Sequence, residues 1–179
     1  MAVDLQQRQQ HWQQLIDQLR GEWARLPETE RDWLRCQSQA IAVLQHQLHA
    51  LFLAADGPAR CQACAGSCCD SGHNHLTLIN AVAALQAAAL PEADFQRPCP
   101  FIGPAGCLLA VDWRPFNCII FLCEPIEQAL PPQQQRHFYQ LEGALRDLYL
   151  QVEQRYQGGS RQGLLIGGGQ HGRALLQRR

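Results

Sequence analysis

Apolar residues return along this chain at intervals of three and four, the spacing of one face of an α-helix. In the first such stretch Trp12, Leu15, Ile16, Leu19, Trp23 and Leu26 mark a helix over residues 5–26, and Pro27 interrupts it. A second helix is expected from Glu28 to about Ala55, with Leu34, Ile41, Leu44, Leu48 and Leu51 in a near-heptad stripe. Cys36 falls inside it and is expected to be a core thiol. The segment DGP at 56–58 stops this helix. Thr77 then stands as N-cap to LINAVAALQAAAL, residues 78–90, with Pro91 at its end. That helix is apolar on nearly every side and is therefore expected to be buried. Pro131 and Pro132 open a last helix, whose face is Phe138, Leu141, Leu145, Leu148, Tyr149, Val152 and Tyr156. The two N-terminal stripes suit packing on each other or, in a homodimer, on a second copy.

Between and after these helices the period is lost. Residues 96–125 are rich in Pro, Gly and aromatic side chains, which predicts irregular backbone held by something other than secondary structure. The stretch LLIGGGQHG near the end has the glycines of a nucleotide-binding loop but not the strand, helix and second strand that such a loop needs. The expectation is a mostly α fold, about four helices forming a scaffold around an irregular cysteine-rich core at 61–123. One domain would cover residues 1–157, and 158–179 would be a flexible Gly-rich tail.

Composition narrows the chemistry. A net charge of −1 and a pI near 6.6 give no electrostatic ground for a nucleic-acid or acidic-membrane partner. All 15 Lys+Arg positions are arginine, which excludes Schiff-base and lysine general-base chemistry. The polar start MAVDLQQRQQHWQQ lacks the apolar region of a signal peptide, and no apolar run reaches bilayer length, so a cytoplasmic location is expected. Thiols stay reduced there, and 9 cysteines then read as metal ligands rather than a disulfide framework.

Apart from Cys36, the cysteines form two blocks. The first is C-x2-C-x3-C-C, from Cys61, Cys64, Cys68 and Cys69; the second is C-x7-C-x10-C-x4-C, from Cys99, Cys107, Cys118 and Cys123. Thiolates select zinc, cuprous copper or iron–sulfur clusters. Zinc favours paired C-x2-C knuckles, of which this chain has one, Cys61 with Cys64. Neighbouring Cys68 and Cys69 project in different directions and suit a polynuclear site better, as does the irregular second block. Phe101, Phe116, Ile119, Ile120, Phe121 and Leu122 stand among the thiols as an apolar shell that would exclude water. Gly66, Gly103 and Gly106 offer backbone freedom and N–H groups to sulfur. His73 and His75 could each replace a thiolate or sit behind one. Arg114 could offset thiolate charge or pair at the surface with Asp112 or Glu124.

The CC-ended first block, then CPFI, GC, and RPFNC followed by Phe and Cys, together resemble the YkgJ-type cysteine-cluster family, known by its CxxCxxCC motif. The resemblance covers residues 61–123. It departs from the family pattern in having three residues, Ala65, Gly66 and Ser67, before the CC pair. It implies a zinc- or iron-chelating domain with the eight cysteines as ligands, and relatives that include flagellin lysine N-methylases imply that such a module can support methyl transfer. The leading expectation is an iron–sulfur protein, most plausibly [4Fe–4S], in electron transfer, redox sensing or cluster handling with a redox partner. The alternatives are a structural zinc module that binds a protein partner and an S-adenosylmethionine-dependent methyltransferase-like enzyme.

Overall fold

The computed structural model describes residues 2–63, 76–97, 99–104, 106–167 and 173–179. It is mostly helical, with α1 Ala2–Arg25, α2 Glu28–Ala54, α3 Gly57–Ala63, α4 Leu78–Gln86, α5 Phe116–Ile119, α6 Glu124–Ala129, α7 Pro132–Arg155 and α8 Leu164–Gly167. A two-stranded antiparallel hairpin, β1 Ile102–Gly103 and β2 Gly106–Cys107, and a 3₁₀ turn at Val111–Trp113 lie between α4 and α5. Among the described residues no helix is long and apolar enough to cross a membrane.

Pro27 separates the two long N-terminal helices because it extends the chain there, at φ −56° and ψ 146°. Its carbonyl then accepts the N–H groups of Glu30 and Arg31, both at 3.0 Å, and starts α2. Glu28 and Glu30 in that first turn complement the positive end of the helix dipole. The expected faces of α1 and α2 are buried, through Trp12, Leu15, Ile16 and Leu19 on one and Leu34, Ile41 and Leu48 on the other. α2 packs along α7 and against α4 and the 3₁₀ turn, while α1 covers α4 and α8.

Cys36 departs from expectation. It is exposed, because two residues beyond buried Leu34 a helix has turned by about 200°. The same stripe instead buries polar groups, Glu30, Gln37 and Gln45. Gln37 Nε2 donates to the Leu148 carbonyl of α7 at 2.8 Å. Arg155 grips Glu30 with two parallel bonds, Nε to Oε2 at 3.0 Å and Nη2 to Oε1 at 2.8 Å, and the Tyr156 hydroxyl donates to Oε2 at 2.5 Å. The Arg155 guanidinium lies 4.5 Å from the centre of the Trp33 ring. The bond from Arg155 holds the Glu30 carboxyl below its ordinary value, against the opposing effect of burial. Burial, reinforced by Glu30, pushes Tyr156 up to about 12.

One boundary held and one moved. DGP ends α2 as expected, at Ala54 with Ala55 as C-cap. Asp56 takes a left-handed conformation, φ 54°, and a new helix starts at Gly57, where a Cβ would lie 2.3 Å from the Phe52 ring. The helix expected over 78–90 stops short, at Gln86. Ala88 is left-handed, φ 50°, with Ala89 N–H donating to Ala84 O at 3.0 Å and Ala88 N–H to Leu85 O at 3.1 Å, the paired bonds of a Schellman turn.

The segment expected to be a flexible tail belongs, where described, to the same core. Leu164, Leu175 and Leu176 are buried in it. Glu22 of α1 accepts the backbone N–H groups of Leu175 and Leu176 at 3.0 and 2.6 Å, and Tyr156 bridges Arg178. Gly159 is required here, since a Cβ would sit 2.3 Å from the Val152 carbonyl. The core therefore extends past residue 157, and Gly168 to Gly172 of LLIGGGQHGR lie outside the described residues.

Two outcomes follow from these contacts. Glu30→Ala should cost about 3 kcal/mol in denaturant unfolding, at the low end for breaking a buried pair because Arg155 keeps 25% of its side chain exposed. Glu30 is ionised more readily folded than unfolded, so its contribution is present above about pH 4.5 and is lost as pH falls through the lowered folded value. Acid unfolding of the variant should therefore lack that component. Ala88→Gly should raise stability by about 1 kcal/mol by relieving the left-handed alanine; a loss on the same measurement would overturn that assignment.

Candidate metal centre

The bend at Asp56 and Gly57 places Cys61 on α3, and Cys123 stands at the N-cap of α6. α3 lies beside α6. Both cysteines are half-buried against one apolar cluster, Ala55, Ile126 and Leu130, together with Phe52 and Leu122. The first cysteine of the first block and the last of the second thus share a patch.

Cys99 and Cys107 form a second group around the hairpin. Ile102 pairs with Cys107 across it, Ile102 N–H donates to Cys99 O at 3.1 Å, and Leu108 N–H donates to Phe101 O at 2.8 Å. Gly106, the first residue of β2, has φ 110°, a conformation that a side chain would strain. Trp12 of α1 packs on the loop from within the core, with its ring 6.1 Å from Phe95 and 5.8 Å from Phe101. Burial pushes the Cys99 thiol above its ordinary value, a bond from the Phe101 backbone opposes that, and Cys107 adds to it. A metal bound at Cys99 would therefore displace a proton.

Cys118 is exposed on α5. Behind it Phe116 packs on Tyr149 at 5.1 Å between rings. Burial pushes the Tyr149 phenol far up, and Cys118 contributes in the same direction. The Tyr149 hydroxyl donates to Asn80 Oδ1 at 3.1 Å, Thr77 Oγ1 donates to the same oxygen at 2.6 Å, and Asn80 Nδ2 donates to the Arg114 carbonyl at 3.2 Å. Thr77 is the N-cap residue as expected, but its hydroxyl serves Asn80 rather than the helix backbone. Gln45 Nε2 reaches the Arg114 carbonyl too, at 2.5 Å, leaving Gln45 Oε1 buried without a partner. Two amides from α2 and α4 thus clamp the chain four residues before Cys118.

The Arg114 side chain pairs with neither of the carboxylates expected for it. Its Nε and Nη1 donate over long distances, both 3.4 Å, to the Leu109 carbonyl and to His49 Nδ1. Asp112 faces His46, and Glu124 accepts from Gln128. The apolar shell is one-sided. Phe101, Phe116 and Ile119 are buried, whereas Phe121, Cys107 and Cys118 are exposed.

Among the described residues no three His, Cys, Asp or Glu side chains converge as a metal site. Cys64, Cys68, Cys69, His73 and His75, the rest of the expected donor set, lie outside the described residues. Cys61, Cys99, Cys107, Cys118 and Cys123 are described; Cys61 and Cys123 share one patch, Cys99 and Cys107 flank the hairpin, and Cys118 lies on α5. Gln45, Asn80 and His49 are additions that hydrophobic periodicity missed. The signal for Asn80 was present, as the one amide inside the apolar run LINAVAAL.

No protein-family model, curated protein or solved structure matches the chain.

Asn80→Leu strands two buried hydroxyls and removes a donor from the Arg114 carbonyl, so it should cost about 2–3 kcal/mol by urea titration. Tyr149→Phe removes one hydroxyl and should cost about 1 kcal/mol. Equal small effects would show that the clamp is not a unit.

Proposed function

We propose that this chain is a metal-binding cysteine-cluster protein whose thiolates hold an iron–sulfur cluster for electron transfer, redox sensing or cluster handling. The observation that carries the reading is the meeting of Cys61 and Cys123 on one apolar patch, which draws the ends of the two cysteine blocks together. The donor set is all thiolate among the residues that resemble the YkgJ-type pattern, and soft ligands in irregular loops suit a cluster. Cys107 and Cys118 are exposed, where a redox partner would reach them. A cytoplasmic location belongs to the same proposal, because a reducing compartment keeps these thiols available.

The zinc reading is favoured by one feature, the short antiparallel hairpin that Cys99 and Cys107 flank. It is weakened by another. The helices bury a continuous core through their own side chains, so the fold does not need a metal to hold it. Methyl transfer remains the further alternative, and calorimetric titration with S-adenosylmethionine showing no heat of binding would remove it.

Anaerobic purification followed by metal and acid-labile sulfide analysis tests the proposal. The expected result is a brown protein containing iron and sulfide, with both lost or much reduced in Cys61→Ser and Cys123→Ser and retained in the exposed Cys36→Ser control. A colourless protein containing zinc alone would overturn it. Chelation should leave the helical circular dichroism signal largely intact.

A further inference from the structure

His49 lies at a junction that the metal reading does not use. Its ring stacks on Phe52, 5.6 Å between centres and 19° between planes. Phe52 in turn packs with Cys61, Leu122 and Cys123 on the smaller apolar cluster. On its other side His49 Nδ1 accepts from Arg114 Nη1. Arg114 is the residue whose carbonyl Gln45 and Asn80 clamp, and it leads directly into Pro115, Phe116 and Cys118. One imidazole therefore touches the supports of both cysteine-bearing segments.

We propose that His49 is a pH-sensitive latch between α2 and the segment 109–118. Neutral His49 accepts from Arg114; protonated, it loses the acceptor at Nδ1 and sets a second positive charge beside the guanidinium. The clamp on the Arg114 carbonyl fixes the backbone, so the relief available is for the guanidinium to swing away from both His49 and the Leu109 carbonyl. That removes one of the ties between the 109–114 turn and α2 and loosens the turn, while Gln45 keeps its bond to the Arg114 carbonyl. The charged or titratable groups acting on His49 are Arg114 from the turn and His46 from its own helix. Asp112 faces His46 instead, and the Arg114 carbonyl on the far side is held by neutral groups, Asn80 with Tyr149 behind it. Partial burial, Arg114 and His46, in that order, all hold His49 below its ordinary value.

The sign follows from linkage. A histidine that binds its proton less readily folded than unfolded adds stability above about pH 6.5, and that stability is lost as pH falls from there toward the lowered folded value. His46 makes its own ion pair with Asp112 beside the latch. With 60% and 45% of those side chains exposed, that contribution is small and screened by salt. The latch does not depend on which metal, if any, the thiols hold.

The test is a comparison at about pH 7.5 and about pH 5.5, in high salt to suppress the His46 pair. Urea midpoints, the NMR titration of the His49 ring and amide hydrogen exchange over 109–118 are measured on the full chain. Acidification should lower the midpoint and speed exchange in that segment, and His49→Gln should remove most of both changes. Arg114→Gln should move the His49 titration upward, which keeps the proposal testable if His49→Gln does not fold. A His49 that titrates at or above its ordinary value in the wild-type chain, or exchange over 109–118 that is unchanged between the two pH values, overturns the latch. Neither result bears on iron or sulfide content, so the latch and the metal reading fail separately.

Discussion

Burying Glu30, Gln37 and Gln45 on one face of α2 obliges the surrounding chain to supply three polar partners. A desolvated carboxylate or amide costs several kcal/mol if left unpaired, so each of the three acts as a fixed address. Glu30 takes Arg155 and Tyr156 at the far end of α7; Gln37 takes the Leu148 carbonyl two turns earlier on the same helix; Gln45 takes the Arg114 carbonyl in the cysteine-bearing segment. Leu34, Ile41 and Leu48 between them supply attraction but little discrimination, because an aliphatic stripe slides along another at low cost. The polar triad sets the register that the aliphatic residues then fill. The α2–α7 pair and the position of the second cysteine block thus have a common origin.

The same logic extends to the C-terminal residues. Tyr156 carries the Glu30 contact from α7 into the bridge with Arg178, and Glu22 captures two successive N–H groups from Leu175 and Leu176. A carboxylate on α1 and another on α2 therefore fasten a segment whose sequence, rich in glycine and arginine, has no periodicity of its own. Gly158 and Gly159 permit this closeness, lying where a side chain would meet the Leu175 and Val152 carbonyls.

What could be read from the sequence divides along the same line between periodic and non-local information. α1, α2 and α7 were legible because each repeats its apolar face over many turns, and their observed limits lie close to those the pattern marks. α3, α5, α6 and α8 were not, being too short to show a period. The early end of α4 was hidden because Ala88 takes the left-handed position where glycine usually announces it. Cys36 was misplaced for the general reason that free thiols are often buried, when its angle from Leu34 already put it on the outer face. For the candidate site, the two blocks and the order of their thiols were plain. That Cys61 and Cys123 share a patch while Cys107 and Cys118 face outward was not, because it depends on α3 folding back beside α6.

The division between scaffold and thiols also bears on what the thiols are for. In a chain too small to close a core, metal ligation is the staple that makes folding favourable, and the ligands sit at the centre of what little packing there is. Here the centre is occupied by Leu19, Leu34, Ile41, Leu48, Leu78, Leu145 and Tyr149, and its polar partners are satisfied largely by the chain itself. The described cysteines stand at its margin, half-buried or exposed. A donor set at the margin of a core that closes without it is better suited to a reactive or exchangeable group than to a structural ion. The amide clamp on Arg114 holds the loop that bears Cys118 in place, and on the proposed metal reading this would lower the ordering entropy that binding must overcome. Under that proposal, preorganisation of this kind would suit a cluster that is gained, lost or reduced while the fold persists.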